Sequence, residues 1–154
     1  MDSVFKKLNF KAHKLVLVIG APSSFNVNLD SIRNECSVVS STDGLDKTDF
    51  CMIFVTKQVE VNEIIPVIVP LLTADAVLWM CYPKGTSKKY KCDFNRDTGW
   101  QIMGKFDLEP VRMVAIDEDW SAIRFKNVDN IIEMKRNSQH ALSEKGKIKT
   151  NQSE

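Results

Sequence analysis

The chain is poor in the residues that announce a chemistry. Its two histidines are His13 and His140. Histidine is the commonest general base, so hydrolytic catalysis built on an imidazole has little to draw on. The four cysteines, Cys36, Cys51, Cys81 and Cys92, form no C-x-x-C pair and have no histidine beside them in sequence; a zinc site needs more ligands at ordered spacing. Cys36, Cys51 and Cys81 fall in apolar runs, where a free thiol packs as a small hydrophobe. The reducing cytosol expected for this chain keeps such thiols unpaired. No long hydrophobic run is present: the longest, residues 64–72, is broken by Pro66 and Pro70 and is far too short for a bilayer. Residues 1–14 carry lysines without an apolar core, unlike a secretory signal. An excess of one charge is missing too. The net charge of +1 gives the whole chain no bulk attraction to nucleic acid or membrane, though local patches still can. G-x-S-x-G, the phosphate loop G-x-x-x-x-G-K-[ST] and internal repeats are all absent. These absences leave a soluble, cytoplasmic protein with no membrane partner as the expectation.

What the chain does have is an alternation of short apolar runs with helical or polar segments. Its 154 residues suit one domain, which buries roughly two-thirds of its unfolded surface without a metal or disulfide. Residues 14–21 (KLVLVIGA) are β-branched and nearly continuously apolar, the pattern of a central parallel strand covered on both faces. Gly20-Ala21-Pro22-Ser23-Ser24 breaks that strand. Residues 28–34 suggest a short helix and 36–40 a second strand, with Asp43-Gly44 marking a turn. Residues 49–55 (DFCMIFV) read as a third strand. Residues 57–72 read as a helix kinked near Ile65 or split in two, because Pro66 and Pro70 each remove an amide donor. Residues 76–81 (AVLWMC) form a fourth strand, 93–105 a helix capped by Asp93, and 111–116 and 121–125 the last two strands. Only residues 117–120 join that pair, too few for a parallel crossover, so the two are antiparallel. The predicted architecture is α/β: a three-layer sandwich around a mostly parallel sheet of about six strands, closed by a C-terminal antiparallel hairpin. It occupies residues 1–132, and the lysine-rich residues 133–154 are expected to form a polar helix fraying into a disordered tail.

This order resembles a shortened Rossmann-like methyltransferase fold, in which the last two strands form such a hairpin. Residues 14–21 match its first strand, and 106–111 (FDLEPV) look like the turn into the hairpin. A closer resemblance covers about residues 5–125. The blocks LNFKAHKLVLVIGAP, AVLWMCYPKGTSK, FNRDTGW and AIDEDWSAIRF look like an uncharacterised bacterial family, a domain of unknown function. That resemblance implies the Rossmann-like fold and leaves activity open. The methyltransferase likeness would imply S-adenosylmethionine as cofactor, held by a glycine-rich turn after the first strand and an acid ending the second. Here Gly20 is followed by Ala21 and by Pro22, which has no amide to donate. After Val39 come Ser40, Ser41 and Thr42 before the nearest acid, Asp43.

Ligands of open α/β sheets bind where the strands end at their carboxyl edge. That rule selects Gly20, Ala21 and Ser23 after the first strand, Thr56 after the third, and Tyr82, Lys84, Gly85, Thr86, Ser87 and Lys88 after the fourth. Residues 82–96 hold Lys84, Lys88, Lys89, Lys91 and Arg96 against one acid, Asp93. In such a loop lysines supply charge, Gly85 lets the backbone approach, and Thr86 and Ser87 donate hydrogen bonds to an anion. The plainer reading is a solvated loop whose lysines keep it soluble. Asp117, Glu118 and Asp119 would suit magnesium or acid–base work, but acids also favour turns. Trp79 and Trp100 read as core residues rather than a stacking platform, and Trp120 as a core or edge residue. The leading function is therefore a non-catalytic or catalytically degenerate module that binds an anionic small molecule or a protein partner, with Lys84 and Lys88 on the anion. A diverged S-adenosylmethionine-dependent methyltransferase and a nucleic-acid accessory protein are the alternatives, and no cofactor or metal is assigned.

Overall fold

The computed structural model describes residues 1–95 and 97–131. The predicted tail at 133–154 and the cation Arg96 lie outside the described residues. Six strands form one sheet: β1 (Leu15–Ile19), β2 (Ser37–Val39), β3 (Thr48–Phe54), β4 (Leu72–Pro83), β5 (Leu108–Ala115) and β6 (Trp120–Asn127), in the order β2-β1-β3-β4-β6-β5. β2, β1, β3 and β4 run parallel, whereas β6 is antiparallel to both β4 and β5. This is the α/β sandwich with its terminal hairpin.

Period-two alternation divides the central strands between two cores. On one face Val16, Val18, Phe50, Met52, Phe54, Val77 and Trp79 meet Phe5, Leu8, Phe25, Leu29 and Ile32. These come from α1 (Ser3–Lys7), α2 (Asn26–Asp30) and the turns beside them. On the other face Leu17, Cys51, Ile53, Leu78 and Met80 meet Val61, Ile65 and Ile68 of α3 (Gln58–Ile68) and Met103 of α4 (Gln101–Gly104). Burial on both faces is why these strands are apolar without interruption. Trp79 is fully buried and donates its indole N–H to the Leu8 carbonyl at 2.8 Å, pinning α1 across the sheet.

Several boundaries differ from the sequence reading. α1 has no counterpart in it. Asp2 caps α1 by accepting from the Phe5 amide at 3.0 Å, and one turn of helix is too short to leave a periodic signal. The predicted helix at 28–34 lies earlier, at Asn26–Asp30, behind a 3₁₀ turn at Ser23–Phe25. The helix does not break at Ile65. It runs through Pro66 to Ile68, and a 3₁₀ turn, Val69–Leu71, takes up Pro70. Pro66 and Asn62 both face solvent, so the carbonyl left without an amide by Pro66 can bond to water. The helix predicted over 93–105 shrinks to the four residues of α4. Asn95 prevents more: its side-chain oxygen accepts from the Asp97 amide at 2.8 Å and from the Thr98 hydroxyl at 3.3 Å, holding turns instead.

Candidate functional site

In the ladders Ile19 lies beside Ile53, and Phe54 beside Cys81. Gly20 and Val55 therefore leave the sheet at one rim, the carboxyl edge of the parallel strands, where Tyr82 and Pro83 carry β4 on against β6. Gly20 has φ +74°, and a Cβ built there would stand 2.7 Å from the Phe54 carbonyl oxygen. Only glycine allows the chain to turn this close to the end of β3.

Loop 84–95 folds over that rim and is tied at both ends. The Lys84 amide donates to the Asp119 carbonyl at 2.8 Å, and the Ser87 hydroxyl to the Asp119 carboxylate at 2.8 Å. Tyr90 packs on Trp120 with ring centroids 5.0 Å apart. At the far end the Asp93 amide donates to the Thr56 carbonyl at 3.1 Å, and the Asp93 carboxylate accepts from the Gln58 amide at 2.7 Å. Asp93 thus caps α3, not the helix that follows it in sequence. Glu60 accepts from the amides of Thr56 and Lys57, both at 2.9 Å. A helix N-terminus attracts anions because its first amides lack intrahelical partners; at α3 two of the chain's own carboxylates occupy that place.

The acids at 117–119 serve the turn. Asp117 accepts from the amides of Asp119 and Trp120, both at 2.8 Å, and Asp119 holds the loop. Among the described residues none of the three forms an ion pair with Lys84, Lys88 or Arg124. Trp79, Trp100 and Trp120 are all buried. Trp100 packs edge-to-face against Tyr82 and Phe94 and at a tilt against Phe125.

Between the loop and the hairpin lies a cleft of about 740 Å³, within the range of small-molecule sites. Its apolar lining includes Tyr82, Phe94 and Met113, the last from β5, with the Tyr82 hydroxyl 3.8 Å from the Met113 sulfur. Its polar lining includes Lys84, Thr86, Ser87, Lys91, Asn95, Asp97 and Ser121. Burial raises the pKa of the lining thiol Cys92; a hydrogen bond from the Phe94 backbone opposes the rise, and the nearby acids Asp93 and Glu60 add to it. The fold thus gathers Tyr82, Lys84, Gly85, Thr86 and Ser87 of the sequence-selected residues. Lys88 is exposed on the loop and is not among the lining residues, whereas Lys91 is. Thr56 is occupied in the α3 cap, and Ser23 is exposed in its 3₁₀ turn. Met113, Asn95, Asp97 and Ser121 were not selected from sequence. Ser121 enters because it pairs with Tyr82 across β4 and β6.

Gly20 and Ala21 line a different cavity, of about 320 Å³, at the ends of β1 and β2, with Asn26, Arg33 and Ser40. Arg33, whose Nε lies 2.9 Å from the Asp30 carboxylate, is the charged group of that lining. S-adenosylmethionine is a sulfonium cation with ribose hydroxyls. In the usual seat an acid ending the second strand holds those hydroxyls; this lining has Ser40 there, and Pro22 brings no amide. The residues present do not fit that cofactor in its usual seat, and no chemical step is derived through it.

The fold is that of solved methyltransferases. The chain is similar to a SAM-dependent methyltransferase from Aquifex aeolicus, with a TM-score of 0.54 and 13% identity over 79% of this chain and 86% of that one. It is similar to the mitomycin 7-O-methyltransferase, with a TM-score of 0.54 and 9% identity over 77% of this chain and 50% of that one. It is also similar to the M1A22 tRNA methyltransferase of B. subtilis, with a TM-score of 0.51 and 9% identity over 93% of this chain and 74% of that one. At such identities the likeness establishes a Rossmann-like, methyltransferase-like fold and nothing finer. Scans against models of protein families and against curated proteins found no match. Among the described residues no helix is long and apolar enough to cross a membrane.

Proposed function

We propose that this chain is a catalytically degenerate methyltransferase-fold module that binds an anionic small molecule in the cleft at the end of β4. The observation that carries this reading is the placement of Lys84 and Lys91 in one cleft with the hydroxyls of Thr86, Ser87 and Ser121, beside the aromatic rings of Tyr82 and Phe94. Ammonium groups supply charge, hydroxyls direct hydrogen bonds to anionic oxygens, and the rings take an apolar or planar body. Asp119 holds the Lys84 backbone and the Ser87 side chain, so part of the site is formed before the ligand arrives. The reading places the protein in the cytoplasm, where its four free thiols stay reduced. Titration with inorganic phosphate, AMP and a short oligonucleotide tests it. At least one should raise the melting temperature and move the amides of residues 84–91, and Lys84→Gln should weaken that ligand. No shift with any of the three would overturn the reading. A steep salt dependence confined to the oligonucleotide would favour a nucleic-acid accessory role instead.

The second reading is a diverged S-adenosylmethionine-dependent methyltransferase. It is favoured by the solved structures the fold resembles, several of which are named as methyltransferases. That likeness supports this alternative better than it supports a module without activity, whereas the lining of the β1–β2 cavity supports the module. Calorimetry with S-adenosylmethionine separates the two: saturable heat that disappears in a Gly20→Val variant still folded by circular dichroism would establish the cofactor, and no heat would remove it.

A further inference from the structure

The hairpin sets what lies beside the lysines of the cleft. On β6, Ser121 pairs with Tyr82 of β4 and Ala115 of β5, and Ile123 pairs with Met80 and Met113. Side chains two apart on a strand share a face. Tyr82, Ser121 and Met113 therefore stand on the face of the sheet that Phe94 and Trp100 cover. Across that face the Tyr82 hydroxyl comes within 3.8 Å of the Met113 sulfur, and the Phe94 ring packs on Tyr82 with centroids 6.1 Å apart and planes inclined by 36°. Phe94 can lie there because residue 99 is glycine: a Cβ on Gly99 would collide with the phenylalanine ring. Met113 is 43% exposed and Phe94 half-buried, so both keep apolar surface in the cleft.

Resting on the anionic-ligand reading above, we propose that the cleft accepts a phosphate monoester carried on a planar ring, with the phosphate at Lys84 and Lys91 and the ring along Phe94 and Met113. The charge follows from the donors left over. The ammonium groups of Lys84 and Lys91 and the hydroxyls of Thr86 and Ser121 have no hydrogen-bond or ion-pair partner among the described residues. Ser87 is already held by Asp119, and the Lys89 ammonium lies 5.6 Å from the centre of the Tyr90 ring. A phosphate monoester carries about two negative charges at neutral pH and three strong acceptor oxygens, enough to answer both ammoniums and both hydroxyls. A carboxylate or a phosphodiester brings half that charge. The carboxylate of the lining, Asp97, belongs to the Asn95 turn, which follows Phe94 in the chain, whereas both lysines precede it. The body of the ligand follows from the wall. A flat ring can stack on Phe94 and meet the Met113 thioether at its edge, contacts that a sugar or an alkyl chain makes less well.

The test titrates AMP, cyclic AMP and ribose phosphate into the full-length, isotope-labelled protein. AMP should saturably move the amides of residues 84–91 together with those of Phe94 and Met113. Ribose phosphate keeps the dianion and loses the ring; it should move residues 84–91 and bind about tenfold more weakly, the scale of one base stacked on an aromatic side chain. Cyclic AMP keeps the ring on a singly charged phosphodiester and should bind several-fold more weakly than AMP. Phe94→Leu should bring AMP down to the affinity of ribose phosphate and leave ribose phosphate unchanged. Met113→Ser, at an exposed position on the edge strand, should fold as the parent does and weaken AMP several-fold. Equal binding of AMP and ribose phosphate, or parental AMP affinity in both variants, overturns the ring and leaves the anionic-ligand reading standing. Equal binding of AMP and cyclic AMP overturns the monoester in the same way. If none of the three moves residues 84–91, this proposal and the reading beneath it fall together.

Discussion

Gly20→Ala is the sharpest probe of the rim, because its cost can be built from two separate observations. Gly20 has φ +74°, and the left-handed conformation costs an alanine roughly 1–2 kcal/mol. The added Cβ would also lie 2.7 Å from the Phe54 carbonyl oxygen, a backbone atom of a central strand that cannot rotate away. Forcing such a contact costs about 1–3 kcal/mol. Together these predict about 3 kcal/mol of destabilisation, roughly a 10 °C fall in melting temperature for a domain of this size. Two controls isolate the terms. Gly44 has φ +71° with nothing within 4 Å of its Cβ, so Gly44→Ala should show the backbone cost alone. Gly85 meets nothing within 4 Å and is not at positive φ, so Gly85→Ala should change stability by less than about 0.5 kcal/mol. Urea melts provide the assay, with the midpoint falling in the order Gly85, Gly44, Gly20 and the slope unchanged. If Gly20→Ala melts with Gly44→Ala, the close approach to Phe54 adds nothing to the need for glycine; if it melts with Gly85→Ala, the whole account of the turn fails.

Trp79→Phe removes the buried bond to the Leu8 carbonyl, with an expected loss of about 2–3 kcal/mol; amide exchange at Ser3–Leu8 should accelerate more than exchange in β3. Asp93→Ala uncaps α3 and frees one end of the loop, costing about 1 kcal/mol. Unchanged protection of the Gln58 amide in that variant would show that the cap is not formed. Burial holds the Cys51 and Cys81 thiols protonated well above the ordinary value of 9.0. Above that value the unfolded chain ionises while the folded chain keeps its protons, so stability is present below it and falls as the pH rises past it. Cys51→Ala should therefore show a shallower alkaline loss of melting temperature, and neither thiol should react with iodoacetamide until the protein unfolds.

The strands were legible because burial on two faces leaves no choice of residue. KLVLVIGA and DFCMIFV can be little else, and the four-residue link at 117–120 forces an antiparallel pair. The lysine-rich loop was legible as a charge pattern at a strand end. The helix expected over 93–105 was misread because Asn95 and Thr98 bond locally to the backbone and to each other, a competition that apolar spacing does not register. Met113 and Ser121 stayed hidden as cleft residues for a different reason: their place depends on β6 inserting between β4 and β5, which no local pattern encodes.

Sequence alone determined the layers, since the spacing of apolar side chains dictates which faces must leave water. It also determined that Gly20 and Tyr82 share a rim, because parallel strands end on the same side. Only the tertiary structure decided that this rim holds two cavities and that the chain's own Asp93 and Glu60 fill the α3 terminus. Those facts depend on contacts between segments far apart in sequence, whose energies come from packing and charge at distances that the order of residues does not contain.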